Sequence, residues 1–117
     1  MEDSILYILQ LKRGTSFLDW WKLLDTHIKA RVLQRFFRLL KGNPGDVVSV
    51  GEGVFEMRIH IGPGYRVYYF NEGARQIILL AGGDKSSQKR DIERAKRMFA
   101  AYKNETDQFS RIPFPGT

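Results

Sequence analysis

FEMRIHIGPGYRVYYF, residues 55–70, decides the fold. Phe55, Met57, Ile59 and Ile61 alternate with Glu56, Arg58 and His60, the period of two that a strand with one buried face requires. Gly62-Pro63-Gly64 reads as a turn, and Tyr65 to Phe70 as a second strand. Closed as a three-residue antiparallel hairpin, this stretch predicts Ile61 opposite Tyr65, His60 opposite Arg66 and Arg58 opposite Tyr68. Glu56, Arg58, His60, Arg66 and Tyr68 then share one face. Phe55, Met57, Ile59, Ile61, Val67 and Tyr69 form the other, with enough apolar surface to rest on helices. Pleat and register thus gather cations that would otherwise be scattered along the chain.

Upstream of the hairpin, a first strand is predicted at about 4–10. TSFLDWWKLLDTHIKARVLQRFFRLLKGNPGD, residues 15–46, reads as helical, with Thr15 or Ser16 as N-cap and GNPGD as the stop. Asp25-Thr26 divides it into two helices. In the second, Ile28, Val32, Phe36 and Leu39 recur at helical spacing as the buried face, while Arg31, Arg35 and Arg38 line another. That arginine row fits a solvated helix face as well as an RNA contact. Trp20, Trp21, Phe36 and Phe37 read as core rather than as a platform for stacked bases.

Downstream, QIILLAGGD (76–84) lacks alternation and reads as a central strand covered on both sides. A final helix begins near Ser87, with Ile92, Ala95, Phe99 and Tyr102 as its apolar stripe. Residues 104–117 contain two prolines and are expected as an irregular tail, leaving one domain over 1–103. The element order predicts an α+β sandwich.

The 117 residues carry nineteen Lys and Arg against thirteen Asp and Glu, a net charge of +6 that favours polyanionic partners, nucleic acid first. There is no cysteine, which excludes disulfides, thiolate nucleophiles and cysteine zinc sites. No apolar run approaches the roughly 18 residues of a membrane span, and MEDSILYILQ lacks the pattern of a signal peptide, so no membrane partner and a cytoplasmic location are expected. The two histidines, His27 and His60, lie far apart in sequence with no ligand spacing, so neither a metal nor another cofactor is expected. Ser86-Ser87 suits helix capping better than nucleophilic catalysis, and GGDK (82–85) is only a fragment of a phosphate-cradling loop.

What remains is a set of cations: Arg58, His60 and Arg66 on the hairpin and Lys85 just past the neighbouring strand. Cleaving RNA through its ribose 2′-oxygen needs that oxygen deprotonated, the charge of the phosphorane neutralised and the departing 5′-oxygen protonated. Guanidinium and ammonium groups serve the second need, while a histidine or a lysine of lowered pKa serves the others. Tyr68 on the same face offers a stacking surface for an unpaired base.

GNPGD, GEGVFEMRIHIGPGYRVYYF and LLAGGDKSSQKRDIERA, in that order and spacing, resemble the RelE/ParE toxin superfamily, and within it the HigB-like and RelE-like addiction-module killer proteins of type II toxin-antitoxin systems. The resemblance covers about residues 15–103. It implies a RelE-like fold, with two N-terminal helices packed on a twisted antiparallel sheet and a C-terminal helix. It also implies ribosome-dependent mRNA cleavage that leaves a 2′,3′-cyclic phosphate. Arg66 matches the family arginine after the hairpin turn, Lys85 falls near a second basic position, and Arg58 lies near the paired lysines of the RelE strand. His60 is placed only by its register opposite Arg66. The catalytic tyrosine of RelE has no match, and Tyr68 or Tyr102 is the candidate to replace it. The resemblance further implies an acidic or helix-turn-helix antitoxin, and operator DNA bound only through the toxin-antitoxin complex. Arg31, Arg35, Arg38, Arg90, Arg94 and Arg97 suit RNA or that antitoxin alike. Two alternatives are a ParE-like inhibitor of DNA gyrase and a catalytically degenerate toxin that only binds its antitoxin.

Overall fold

The computed structural model describes residues 4–11, 17–104 and 108–114. The N-cap expected at Thr15 or Ser16 lies outside them. β1 (Ile5–Leu11) leads to α1 (Phe17–Lys22) and α2 (Thr26–Leu40). The break between the helices falls at Asp25, whose extended backbone (φ −63°, ψ 153°) occupies the N-cap position of α2. At the other end Gly42 takes φ +86°, the Gly42 amide donates to the Leu39 carbonyl and the Asn43 amide to that of Arg38. This Schellman motif is why GNPGD stops the helix.

Then follow β2 (Val47–Gly51), β3 (Val54–Ile59), β4 (Tyr65–Glu72), β5 (Gln76–Asp84), a 3₁₀ turn at Lys85–Ser87, α3 (Gln88–Asn104) and β6 (Phe109–Pro113). The sheet order is β2-β3-β4-β5-β1-β6. Three features depart from expectation. β2 has no counterpart in the sequence reading. β6 pairs antiparallel with β1 where an irregular tail was expected, so the sheet reaches past residue 103. And β1 runs parallel to β5, which makes the sheet mixed rather than wholly antiparallel.

The hairpin register also differs, by two residues. Ile59 pairs with Tyr65, Arg58 with Arg66 and Glu56 with Tyr68. The chain leaves the ladder early because the Ile61 amide turns back to the Ile59 carbonyl at 3.0 Å, and Gly62 and Gly64 then close a five-residue loop with φ of +54° and +79°. A slip of two preserves the faces, so Glu56, Arg58, Arg66 and Tyr68 do lie on one side.

Both sides are covered. Leu6, Ile8, Met57, Val67, Tyr69, Ile77 and Leu79 pack beneath Phe17 of α1 and Val32 and Phe36 of α2. Leu9, Val54, Tyr68, Phe70, Ile78 and Leu80 pack beneath Ala95 and Met98 of α3. β5 feeds both cores, as its unbroken apolar run requires. The aromatic residues read as core are so, except Phe37, which is 47% exposed. The end of β5 is pinched from both sides. A Cβ on Gly82 would lie 2.2 Å from the Trp20 ring, and one on Gly83 would lie 1.9 Å from the Asp91 carboxylate. Glycine alone lets α1 and α3 approach so closely.

Candidate functional site

β5 pairs Gly83 with Arg66 and Asp84 with Tyr65, so the residue after the strand, Lys85, emerges beside the hairpin. An open depression of ≈380 Å³ results, lined by Arg58, His60, Arg66 and Lys85 around the 60–64 loop. All four residues singled out from sequence as catalytic therefore share one concavity. Tyr65, half-buried, lines it too. The sequence signal for Tyr65 was its position directly after the Gly-Pro-Gly turn.

Arg58 and Arg66 are held from below. Glu56, fully buried, accepts a bond from Arg58 Nε at 2.9 Å, from the Tyr68 hydroxyl at 2.9 Å and from Gln88 Nε2 at 3.0 Å. Arg66 Nε lies 3.7 Å from the same carboxylate, and Arg66 Nη1 donates to the Gly64 carbonyl at 3.2 Å. Burial alone would push the Glu56 carboxyl up, but the bonds from Arg58, Gln88 and Tyr68 outweigh it and hold the group below its ordinary value. A carboxyl whose folded pKa is depressed adds stability that is fully present above its unfolded pKa, near 4.5, and is lost as pH falls through the folded value. The melting temperature is therefore expected to drop on acidification from about pH 5 to about pH 3. Glu56→Gln should flatten that slope without removing it, because Asp46 and Asp84 are also held low by their hydrogen bonds to His60 and Ser86. Thermal melts across that range check it.

His60 does not sit opposite Arg66. Lying beyond the ladder in the loop, it is exposed and its Nε2 meets the Asp46 carboxylate. The register argument for His60 thus fails, and a different one replaces it: the imidazole has an orienting carboxylate at the rim of the depression. Asp46 closes the GNPGD segment. It is a site residue that sequence reasoning passed over, because its partner is fourteen positions away.

Tyr68 is no stacking surface. It is fully buried under α3, and burial, then its bond to Glu56, drive its hydroxyl pKa far above the ordinary value. Tyr102, the other candidate, donates to Glu72 at 2.9 Å and packs on Phe70 and Phe109. The charged alternation of β3 suggested a solvent-facing side, whereas α3 closes over it.

Beside the depression and sharing Ile59 and His60 with it, a second concavity of ≈490 Å³ is lined by Arg31, Gln34, Arg35 and Arg38. Arg35 also ties α2 to the sheet, donating to the carbonyls of Arg58, Pro44 and Asp46. Arg90 and Arg94 lie elsewhere, in a hollow shared with Asp19, Asp84 and Asp91. Arg97 lines yet another with Lys96 and Lys103. Ser86 and Ser87 cap: the Ser86 amide, directly after the GGDK segment, donates to Asp84 Oδ1 at 2.8 Å and so already has its acceptor. Among the described residues no helix is long and apolar enough to cross a membrane.

Fold and site together define a small α+β protein with a cationic depression at the tip of its central hairpin. The chain belongs to the phage-derived Gp49-like family (DUF891), whose profile matches residues 19–100, a family of the RelE and addiction-module killer type. An uncharacterized protein of Haemophilus influenzae is 47% identical over 89 residues, 75% of this chain and 90% of that one. Arg58, His60, Arg66 and Lys85 fall inside the family match.

Proposed function

We propose that the protein is the toxin of a type II toxin-antitoxin system and acts as a ribosome-dependent mRNA endonuclease. The observation that carries this reading is the convergence of Arg58, His60, Arg66 and Lys85 in one depression, continued by the arginines of α2. A phosphodiester seated there would have its charge met by two guanidiniums and an ammonium, and the flanking strand would run along Arg31 and Arg38. His60, oriented by Asp46, takes the proton of the ribose 2′-hydroxyl. The 2′-oxygen attacks the adjacent phosphorus, Arg58 and Arg66 neutralise the phosphorane, and the 5′-oxygen leaves with a proton from Lys85 or water. The products are a 2′,3′-cyclic phosphate and a 5′-hydroxyl, with no net redox change. An acidic or helix-turn-helix antitoxin that covers the same cations would silence the site, and operator DNA would be met only through that complex.

Mapping of mRNA 5′ ends after brief induction tests the reading. Cuts inside translated codons are expected. Growth arrest with intact mRNA would move the target to a protein such as gyrase, and no arrest would favour a toxin that only binds its antitoxin. His60→Ala is expected to slow cleavage by about 10²-fold, the lower end for losing a positioned acid or base. Its melting temperature should hardly change, because the side chain is 72% exposed. Cleavage in a reconstituted translation reaction, beside a thermal melt, measures both.

A further inference from the structure

Arg58 and Arg66 face each other directly across the β3–β4 ladder, a placement that like charges disfavour. One pair further along the same face stands Glu56, without measurable exposure, beneath both of them. Burying a carboxylate costs several kcal/mol, and well-packed apolar residues commonly replace buried ion pairs with no loss of stability. Stability relative to a well-packed apolar residue therefore does not account for Glu56.

Its geometry does. Arg58 grips Oε1 through Nε, and Arg66 presents Nε to Oε2, where that buried nitrogen has no hydrogen-bond partner. Arg58, held by its Nε, keeps both Nη groups for a bidentate contact with phosphate, while Arg66, whose Nη1 donates to the Gly64 carbonyl, offers Nη2 to the same group. Tyr68 and Gln88 fix the carboxylate itself, one from β4 and one from the first turn of α3. From this arrangement we infer that Glu56 is a positioning residue, which locks two mutually repelling arginines side by side so that both address one phosphate in the depression. The inference rests on the RNA-cleaving reading for its consequence in activity, but not for the placement of the arginines.

The experiment uses ¹⁵N-labelled full-length protein, observing arginine Nε–H resonances assigned by their loss in Arg58→Lys and Arg66→Lys. In wild type both are expected to exchange with water more slowly than those of exposed arginines. In folded Glu56→Gln the Arg58 resonance, whose Nε loses its charged acceptor, should speed up, and growth arrest should weaken at least tenfold in the dose needed. Fast exchange in the wild type overturns the inference, and this holds whether or not the variant folds. So does a folded Glu56→Gln that keeps slow exchange or arrests growth at wild-type strength. If the wild type arrests no growth, the nuclease reading fails while the resonances still decide the positioning.

Discussion

Arg66→Ala is expected to abolish growth arrest while leaving a folded protein. Removing one donor aimed at developing charge in a preorganised site lowers rates by about 10²–10³-fold, and here the donor is one of two guanidiniums lining the depression. The outward placement read from sequence would have made this substitution neutral for stability. The structure puts the side chain at only 12% exposure, with Nη1 on the Gly64 carbonyl, so a loss of about 1.5–3 kcal/mol is expected instead, as for a hydrogen bond involving a charged group. Glu56 keeps Arg58, Tyr68 and Gln88, which limits the damage. Growth curves after induction, paired with a thermal melt, separate the two effects, and arrest at wild-type strength would sink the assignment. Arg66→Lys should fall between, because a lysine keeps the charge and loses the fork.

The second large effect is on folding. Tyr69→Ala should remove about 3–5 kcal/mol, much of the 5–15 kcal/mol typical of a domain. Tyr69 is 3% exposed and stacks on Phe55 at 5.7 Å beneath the α1–α2 layer. A drop in melting temperature on the order of 10–20 °C follows. An unchanged melt would contradict the side of the sheet assigned to Tyr69.

Periodicity made most of the scaffold readable. Ile28, Val32, Phe36 and Leu39 spell out one helix face, Asp25 breaks the helical stretch where the structure does, and the unbroken run of β5 announces a strand buried on both sides. The shared face of Arg58 and Arg66 was readable because side-chain parity survives an even slip in register. The length of the loop was not, since it depends on where Ile61 turns back. β2 escaped notice because Val47–Gly51 is short and only half covered, and β6 because the two prolines after residue 104 suggested a coil, although an edge strand tolerates the one it contains, Pro113. Tyr68 was misplaced for a tertiary reason: nothing in β3 and β4 says that α3 will cover their charged side, and Glu56 is charged yet buried. The pairing of His60 with Asp46 needs the β2–β3 register and could not be seen without β2.

β1 has a further consequence during synthesis. ILYILQL is made before either of its neighbours: its parallel partner, β5, begins at residue 76, and β6 begins at 109. Phe114, which seals the aromatic cluster of Phe17, Trp21 and Phe36, comes later still. On a translating ribosome the first strand therefore stays an unpaired apolar ribbon until β5 has been made, open to association with other nascent chains. Pairings so distant in sequence also form slowly, so the sheet is complete only once residues 109–113 have been made and have found β1.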